Sequence, residues 1–244
     1  MHSILLIGQS NMAGRGFYKE VKEIDASHIY VLRNGRWQAF FRPVHPDRSF
    51  SGVCLAESFA EAYVKKYGVD IGLIPCADGG TSLDQWKKGE LLYDNAVNNA
   101  RLAMRTSKIV GILWHQGEAD ARPELASTYR QRFEKMINQM QKDIGINVPI
   151  IIGELGYFLQ NFSDGSLREY HLVNSALKEI ADNNTNIKLV SAEGLTSNPD
   201  NLHFNAESLY EFGLRYFDEF DKLYHFDNDE KLKEDTKRTE MEKL

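Results

Sequence analysis

Four short blocks scattered along the sequence hold side chains of the kinds that move acyl groups: Gly8-Gln9-Ser10-Asn11, Gly79-Gly80-Thr81-Ser82, His115-Gln116-Gly117-Glu118 and Asp200-Asn201-Leu202-His203. Each block alone says little. Together they offer a hydroxyl nucleophile, donors for an oxyanion, a general base and a carboxylate to orient that base. That is the complete set for serine-dependent acyl transfer.

Each block also has a plainer use. Ser10 stands between a strand-like run and a turn, where its hydroxyl would face a pocket or equally cap a helix. Met12 occupies the place of the second glycine in a Gly-x-Ser-x-Gly elbow, so the α/β-hydrolase nucleophile turn is excluded. Gly79 and Gly80 let a backbone approach a ligand with its N–H groups outward, as an oxyanion requires, or simply make a turn. Thr81 and Ser82 suit the cap of a following helical turn, and Trp86 is either the wall of a sugar pocket or a core aromatic. The Gln116 amide can donate to an oxyanion without competing for the proton. Glu118 and Asp120 each read as a carboxylate for the base or as the acidic start of a helix at Pro123; the two readings weigh equally for Glu118, and the helix start is preferred for Asp120. Asp200 and His203, three positions apart, lie close enough for the carboxylate to hold Nδ1–H while Nε2 faces a hydroxyl; the same pair would serve a loop that caps the last helix.

The elements that must bring these blocks together are legible as an alternation. Short apolar or β-branched runs at Ile4–Ile7, Ile29–Leu32, Asp70–Pro75, Ile109–Trp114, Pro149–Gly153 and Ile187–Val190 read as strands covered on both faces. Between them, helical character spans about Gly52–Tyr67, Leu91–Arg105, Pro123–Ile144, Leu167–Asn183 and Ala206–Tyr224. In the third, Tyr129, Phe133, Ile137, Met140 and Ile144 draw one apolar face. Such alternation predicts an α/β fold, a parallel sheet between helices. Ligands of open parallel sheets bind beyond the carboxyl ends of the strands, and three of the four blocks follow a strand directly.

We expect one domain over residues 1–225, then a tail over 226–244 whose character changes at Asp227 to Lys, Glu and Asp, a solvated helix or a disordered end. Within the 244 residues, hydrophobic content of 42% and charged content of 26% are those of a globular protein, and no apolar run is long enough to span a membrane. The net charge of −6 speaks against nucleic acid or anionic lipid as partners and favours a neutral or small substrate. Cys54 and Cys76 make no disulfide framework. The chain opens almost directly on a strand without room for a secretory signal, so a cytoplasmic location is expected. No His-Glu-x-x-His, Cys-x-x-Cys or EF-hand spacing occurs, so neither metal nor cofactor is expected. Oligomeric state leaves no mark in the sequence.

At these blocks the chain resembles the SGNH/GDSL hydrolase superfamily, and within it the branch of acetylxylan esterases (carbohydrate esterase family 6) and sialate O-acetylesterase-like domains. The matching text is Gly8-Gln9-Ser10-Asn11-Met12-Ala13-Gly14, Gly79-Gly80-Thr81-Ser82-Leu83, Trp114-His115-Gln116-Gly117-Glu118 and Asp200-Asn201-Leu202-His203-Phe204. The resemblance implies a three-layer, flavodoxin-like α/β/α sandwich with a central parallel sheet. It implies Ser10 as nucleophile, His203 as base and Asp200 as its orienting acid, with Glu118 as a rival. It further implies oxyanion donors from the backbone of Ser10 and Gly80 and from the side chain of Gln116, which replaces the asparagine of the wider superfamily. Gln9, Asn11, Gly79, Thr81 and Trp86 are the candidates for substrate contact. The expected activity is removal of O-acetyl groups from a small acetylated carbohydrate, with transfer to a sugar acceptor and an inactive carbohydrate-binding relative as alternatives. Discrimination among sugars is expected from loops around Phe40–Ser51 and Tyr157–Ser166.

Overall fold

A computed structural model describes residues 1–227. Seven strands form one sheet: β1 (His2–Gly8), β2 (Ile29–Arg33), β3 (Arg36–Ala39), β4 (Ile71–Pro75), β5 (Lys108–His115), β6 (Ile150–Gly153) and β7 (Ile187–Val190), in the spatial order β3-β2-β4-β1-β5-β6-β7. The helices are α1 (Ser10–Ala13), α2 (Ala56–Tyr67), α3 (Leu91–Ala103), α4 (Pro123–Ala126), α5 (Tyr129–Ile144), α6 (Tyr170–Asp182) and α7 (Ala206–Asp221). All neighbouring strands pair in parallel except β2 with β3.

Both faces of the sheet are covered, as the continuous apolar runs require. Leu5, Ile7, Ile112 and Trp114 pack on one side with Tyr93 of α3, Phe133 of α5 and Leu177 of α6. Ile4, Leu6, Leu113 and Ile151 pack on the other with Phe59 and Tyr63 of α2 and Phe212 and Phe220 of α7. The result is the three-layer α/β/α arrangement. Helices α2 and α7 approach so closely that a Cβ on Gly213 would lie 2.0 Å from the Leu55 carbonyl oxygen. That contact fixes α7, whose N-terminus continues the loop carrying His203.

Two elements depart from the sequence reading. Strand β3 was not anticipated, because Arg-Trp-Gln-Ala has no apolar run; it is an edge strand, antiparallel to β2, with Arg33 opposite Arg36. Its signal is Asn34-Gly35, both at positive φ (51° and 74°), the pair that closes a two-residue hairpin. The single helix expected over Pro123–Ile144 is two, α4 and α5, parted at Ser127 and Thr128. The apolar face expected on it belongs to α5, where Tyr129, Phe133, Ile137, Met140 and Ile144 are all buried. The charged tail lies outside the described residues apart from Phe226 and Asp227. Among the described residues no helix is long and apolar enough to cross a membrane.

Register sets the stage for chemistry. Gly8 at the end of β1 stands opposite His115 at the end of β5, and Leu6 stands opposite Pro75 at the end of β4. The blocks that follow these three strands therefore emerge side by side.

Candidate active site

The chain leaves β1 at Gly8, whose φ of 133° and tight approach to β5 exclude a side chain: a Cβ there would sit 2.1 Å from the His115 carbonyl oxygen. Two residues on, Ser10 opens α1. Its Oγ lies 3.0 Å from His203 Nε2, and His203 Nδ1 lies 2.7 Å from Asp200 Oδ2. The loop that holds this acid and base turns through Asn201 at φ 52°. Asp200 Oδ1 accepts the N–H groups of Leu202 (2.9 Å) and His203 (3.0 Å), a local turn that locks carboxylate and ring on one scaffold. Burial by itself would raise the Asp200 carboxyl, but the bonds from the His203 ring and from the two backbone N–H groups outweigh it and hold the group at about 2. Hydroxyl, imidazole and carboxylate can thus act as a proton relay with the acid permanently charged.

Glu118 is not part of that chain. It lies behind it, buried, with Oε1 accepting from Asn11 Nδ2 at 2.5 Å and 3.5 Å from His115 Nε2. Burial pushes its carboxyl up, yet the adjoining His115 and the Asn11 amide overcome this and lower it below the usual carboxylate range. Asn11 in turn grips both sides of the base: Nδ2 donates to the Leu202 carbonyl (3.2 Å), and Oδ1 accepts from the Phe204 N–H (3.0 Å). His203 is held from before and after by the residue next to Ser10.

The turn after β4 carries the candidate oxyanion donors. The Gly79 N–H is spent on Asp47 Oδ2 at 2.9 Å, whereas Gly80 follows at φ 78° on the exposed crest of the turn. The Ser10 N–H belongs to the first turn of a helix, where no intrahelical acceptor exists, and α1 has no side-chain cap. These two backbone donors suit an oxyanion. The Gln116 side chain does not: Nε2 gives its two hydrogens to the Thr81 carbonyl (3.0 Å) and to Asp120 Oδ2 (2.6 Å), and the residue is fully buried. Its expected donor role is corrected to that of a tie between the second and third blocks.

The expected substrate contacts are corrected in the same way. Trp86 is wholly buried, edge-on to Trp114 at 5.5 Å between centroids, with its N–H on Thr81 Oγ1. Thr81 Oγ1 donates to the Asp78 carbonyl, and Gln9 Oε1 accepts from the N–H groups of Gly117 and Ala119. With Asn11 gripping the histidine loop and Gly79 covered by Arg15, all five are framework rather than lining.

Sequence reasoning missed three framework residues. Asp120 is buried and binds Gln116, the Leu83 N–H (2.9 Å) and Arg132 (2.7 Å), a structural tie that neither the base-partner reading nor the preferred helix start had foreseen. Asp47 pairs bidentately with Arg15 (3.1 and 2.7 Å) and also takes Ser51 Oγ (2.7 Å). Asn198 joins the Arg15 carbonyl (2.9 Å) to the His203 carbonyl (2.7 Å). Asp47 lies far from every recognised block, and Asp120 and Asn198 each stand two positions outside one, so no motif contains any of them. Among the described residues no group of three His, Cys, Asp or Glu side chains is gathered to hold a metal ion.

The family model described as carbohydrate esterase, sialic acid-specific acetylesterase, matches residues 1–222. A probable carbohydrate esterase of Arabidopsis thaliana is 30% identical over 237 residues, covering 86% of each chain. The X-ray structure of an Arabidopsis thaliana protein superposes with a TM-score of 0.82 at 27% identity, covering 92% of this chain and 99% of that one. A carbohydrate acetylesterase from Xanthomonas citri superposes with a TM-score of 0.65 at 18% identity, over 88% of this chain and 54% of its own, a likeness of fold alone.

Proposed function

Since this chain belongs to the sialic acid-specific acetylesterase family of carbohydrate esterases, we propose that it is a serine esterase that removes O-acetyl groups from a small acetylated carbohydrate through an acyl-enzyme. The observation that carries the reading is the continuous chain from Ser10 Oγ to His203 Nε2 (3.0 Å) and from His203 Nδ1 to Asp200 (2.7 Å).

In the first step Ser10 Oγ attacks the acetyl carbonyl carbon while its proton passes to His203 Nε2. The oxyanion so formed is met by the N–H groups of Ser10 and Gly80, whose dipoles need no reorganisation. Asp200, charged throughout, stabilises the imidazolium and holds its tautomer. Collapse breaks the bond to the sugar oxygen, which takes the proton from His203, and leaves acetyl-Ser10. Water then gives a proton to His203 and its oxygen to the acetyl carbon; collapse breaks the bond to Ser10 Oγ, which takes that proton back from His203, and acetic acid leaves, ionising to acetate in solution.

We place this activity in the cytoplasm, a reading that Cys54 and Cys76 support as separate buried thiols. The test is acetate release from a panel of O-acetylated sugars, with Ser10→Ala as control. Release that persists at the wild-type rate in that variant removes Ser10 from the reaction.

A further inference from the structure

We propose that Arg48 is the positioning residue of the oxyanion hole: by gripping the Gly79 carbonyl it keeps the Gly80 N–H turned towards Ser10. The inference rests on the esterase reading above and deepens it, because it names what orients one of the two donors.

The turn that carries this donor lies against the nucleophile. A Cβ on Gly79 would stand 3.5 Å from Ser10 Cβ, and the Asp78 N–H is bonded to the carbonyl of Gly8 (3.1 Å) at the end of β1. Gly79 and Gly80 form the turn itself, and the φ of 78° at Gly80 is that of the third position of a type II turn. Turning over the central peptide of such a turn converts it to type I. Side chains normally favour one of the two forms, but a pair of glycines accepts both. Packing adds no resistance at the crest, since nothing lies within 4 Å of the place a Gly80 Cβ would take.

Such a flip would be fatal to the chemistry. A peptide unit is planar and trans, so its C=O and its N–H point in opposite directions. Were the Gly79–Gly80 unit turned over, the Gly79 carbonyl oxygen would stand where the Gly80 donor belongs, and the hole would repel the charge it has to hold.

Arg48 opposes the flip. Its Nη2 donates to the Gly79 carbonyl (2.7 Å) and to Asp78 Oδ1 (2.9 Å), and its Nη1 donates to the Asp47 carbonyl (2.7 Å). The guanidinium is thus fixed from two sides beside the carbonyl that it grips. Asp47 steadies the preceding peptide, because its Oδ2 takes the Gly79 N–H. With the Gly79 carbonyl drawn to the guanidinium, the Gly80 N–H faces the other way. A charge-assisted bond at the carbonyl also polarises the peptide and makes its N–H the stronger donor. Arg48 lies in the Phe40–Ser51 loop, from which the sequence alone predicts sugar discrimination rather than any part in the oxyanion hole.

The test measures kcat/KM for para-nitrophenyl acetate and for an O-acetylated xylo-oligosaccharide, together with inhibition by methylboronic acid, whose tetrahedral adduct on Ser10 puts an oxygen where the oxyanion forms. Wild type is compared with Arg48→Met and with Arg215→Met. Arg215 likewise donates to two backbone carbonyls, those of Ser191 (3.1 Å) and Glu193 (2.9 Å), but from α7 and not at the turn. A donor correctly turned in about one molecule in ten lowers the rate about tenfold, less than the roughly 10²- to 10³-fold typical of a donor lost outright. Arg48→Met is therefore expected to lose about tenfold in kcat/KM on both esters and in boronate affinity alike, and Arg215→Met to lose nothing in any of them. Because Arg48→Met also uncovers the Asp78 charge, the double variant Arg48→Met/Asp78→Asn restores a neutral pair, and the loss is expected to persist in it. Should Arg48→Met fail to melt cooperatively, Arg48→Gln takes its place under the same criteria. Losses no greater than those of Arg215→Met, a loss confined to the xylo-oligosaccharide, or full recovery in the double variant overturns the role of Arg48, while Ser10-dependent release in wild type leaves the esterase standing. If wild type releases acetate from neither ester, the esterase reading falls and this inference with it.

Discussion

The two halves of the site are built on opposite physical terms. The relay of Ser10, His203 and Asp200 stands at the rim, with 43% of the Asp200 side chain exposed, and its internal order comes from one short loop. Behind it, Asn11, Glu118, Gln116 and Asp120 form a buried layer in which most polar atoms are spent on other parts of the chain. The rim has groups free to react; the layer behind has groups that cannot, and its work is to hold the rim in register. A buried polar layer of this kind is high in stakes, since a member left unpaired costs more than the bond it made.

The largest expected effect lies at the rim. Ser10→Ala is expected to reduce acetate release to background, and His203→Ala to reduce kcat by roughly 10²- to 10⁴-fold, with unfolding midpoints near wild type in both. A large fall in stability for either variant breaks the division between reacting and holding residues. Asn11→Ala sharpens it: misplacing the base by about 1 Å corresponds to about 10²-fold in turnover, so kcat is expected to fall while KM holds, and stability is expected to drop by about 1–3 kcal/mol for the buried partners left behind. A rise in KM with kcat unchanged would show that Asn11 touches substrate instead.

The rival carboxylates give a direct contrast. Asp200→Asn is expected to cost more in kcat than Glu118→Gln, and Glu118→Gln to cost more in urea stability than Asp200→Asn. Reversal of either order would make Glu118 the partner of the base. Gln116→Ala is expected to lower stability and to reduce kcat by less than the roughly 10²-fold typical of a lost oxyanion donor. Smallest is a pH effect. Asp200, held at about 2, contributes stability in full above its ordinary value of about 4 and loses it as pH falls towards 2. Acid melting curves of Asp200→Asn are therefore expected to be shallower than wild type over that interval, and curves of equal slope would assign the acid loss to other carboxylates.

The rim was far easier to read in the sequence than the layer behind it. Ser10, Asp200 and His203 could be picked out because reactive residue types follow strands or stand three apart, and because parallel strands deliver their C-terminal turns to one edge. The sheet was legible in its apolar runs, except β3, whose Arg-Trp-Gln-Ala is polar because an edge needs no second buried face. Whether an amide faces ligand or scaffold is not a property of residue type. Gln116 had every chemical qualification for an oxyanion donor, and only the positions of the Thr81 carbonyl and Asp120 show its hydrogens to be taken. Asp120 and Glu118 sit together at a helix-like acidic start, where local sequence cannot reveal that each faces a distant segment. Trp86 failed the same way: an indole suits a sugar face and a core equally, and burial against Trp114 decided it.

The hydroxyl and the imidazole that must meet are separated by 193 positions. A nascent chain leaving the ribosome displays its serine 193 positions before its base, and over that whole stretch it carries a nucleophile without the means to fire it. Contacts of such long range close late in folding. Onset of acetate release in a translation reaction would accordingly time the docking of the His203 loop and α7 onto the sheet.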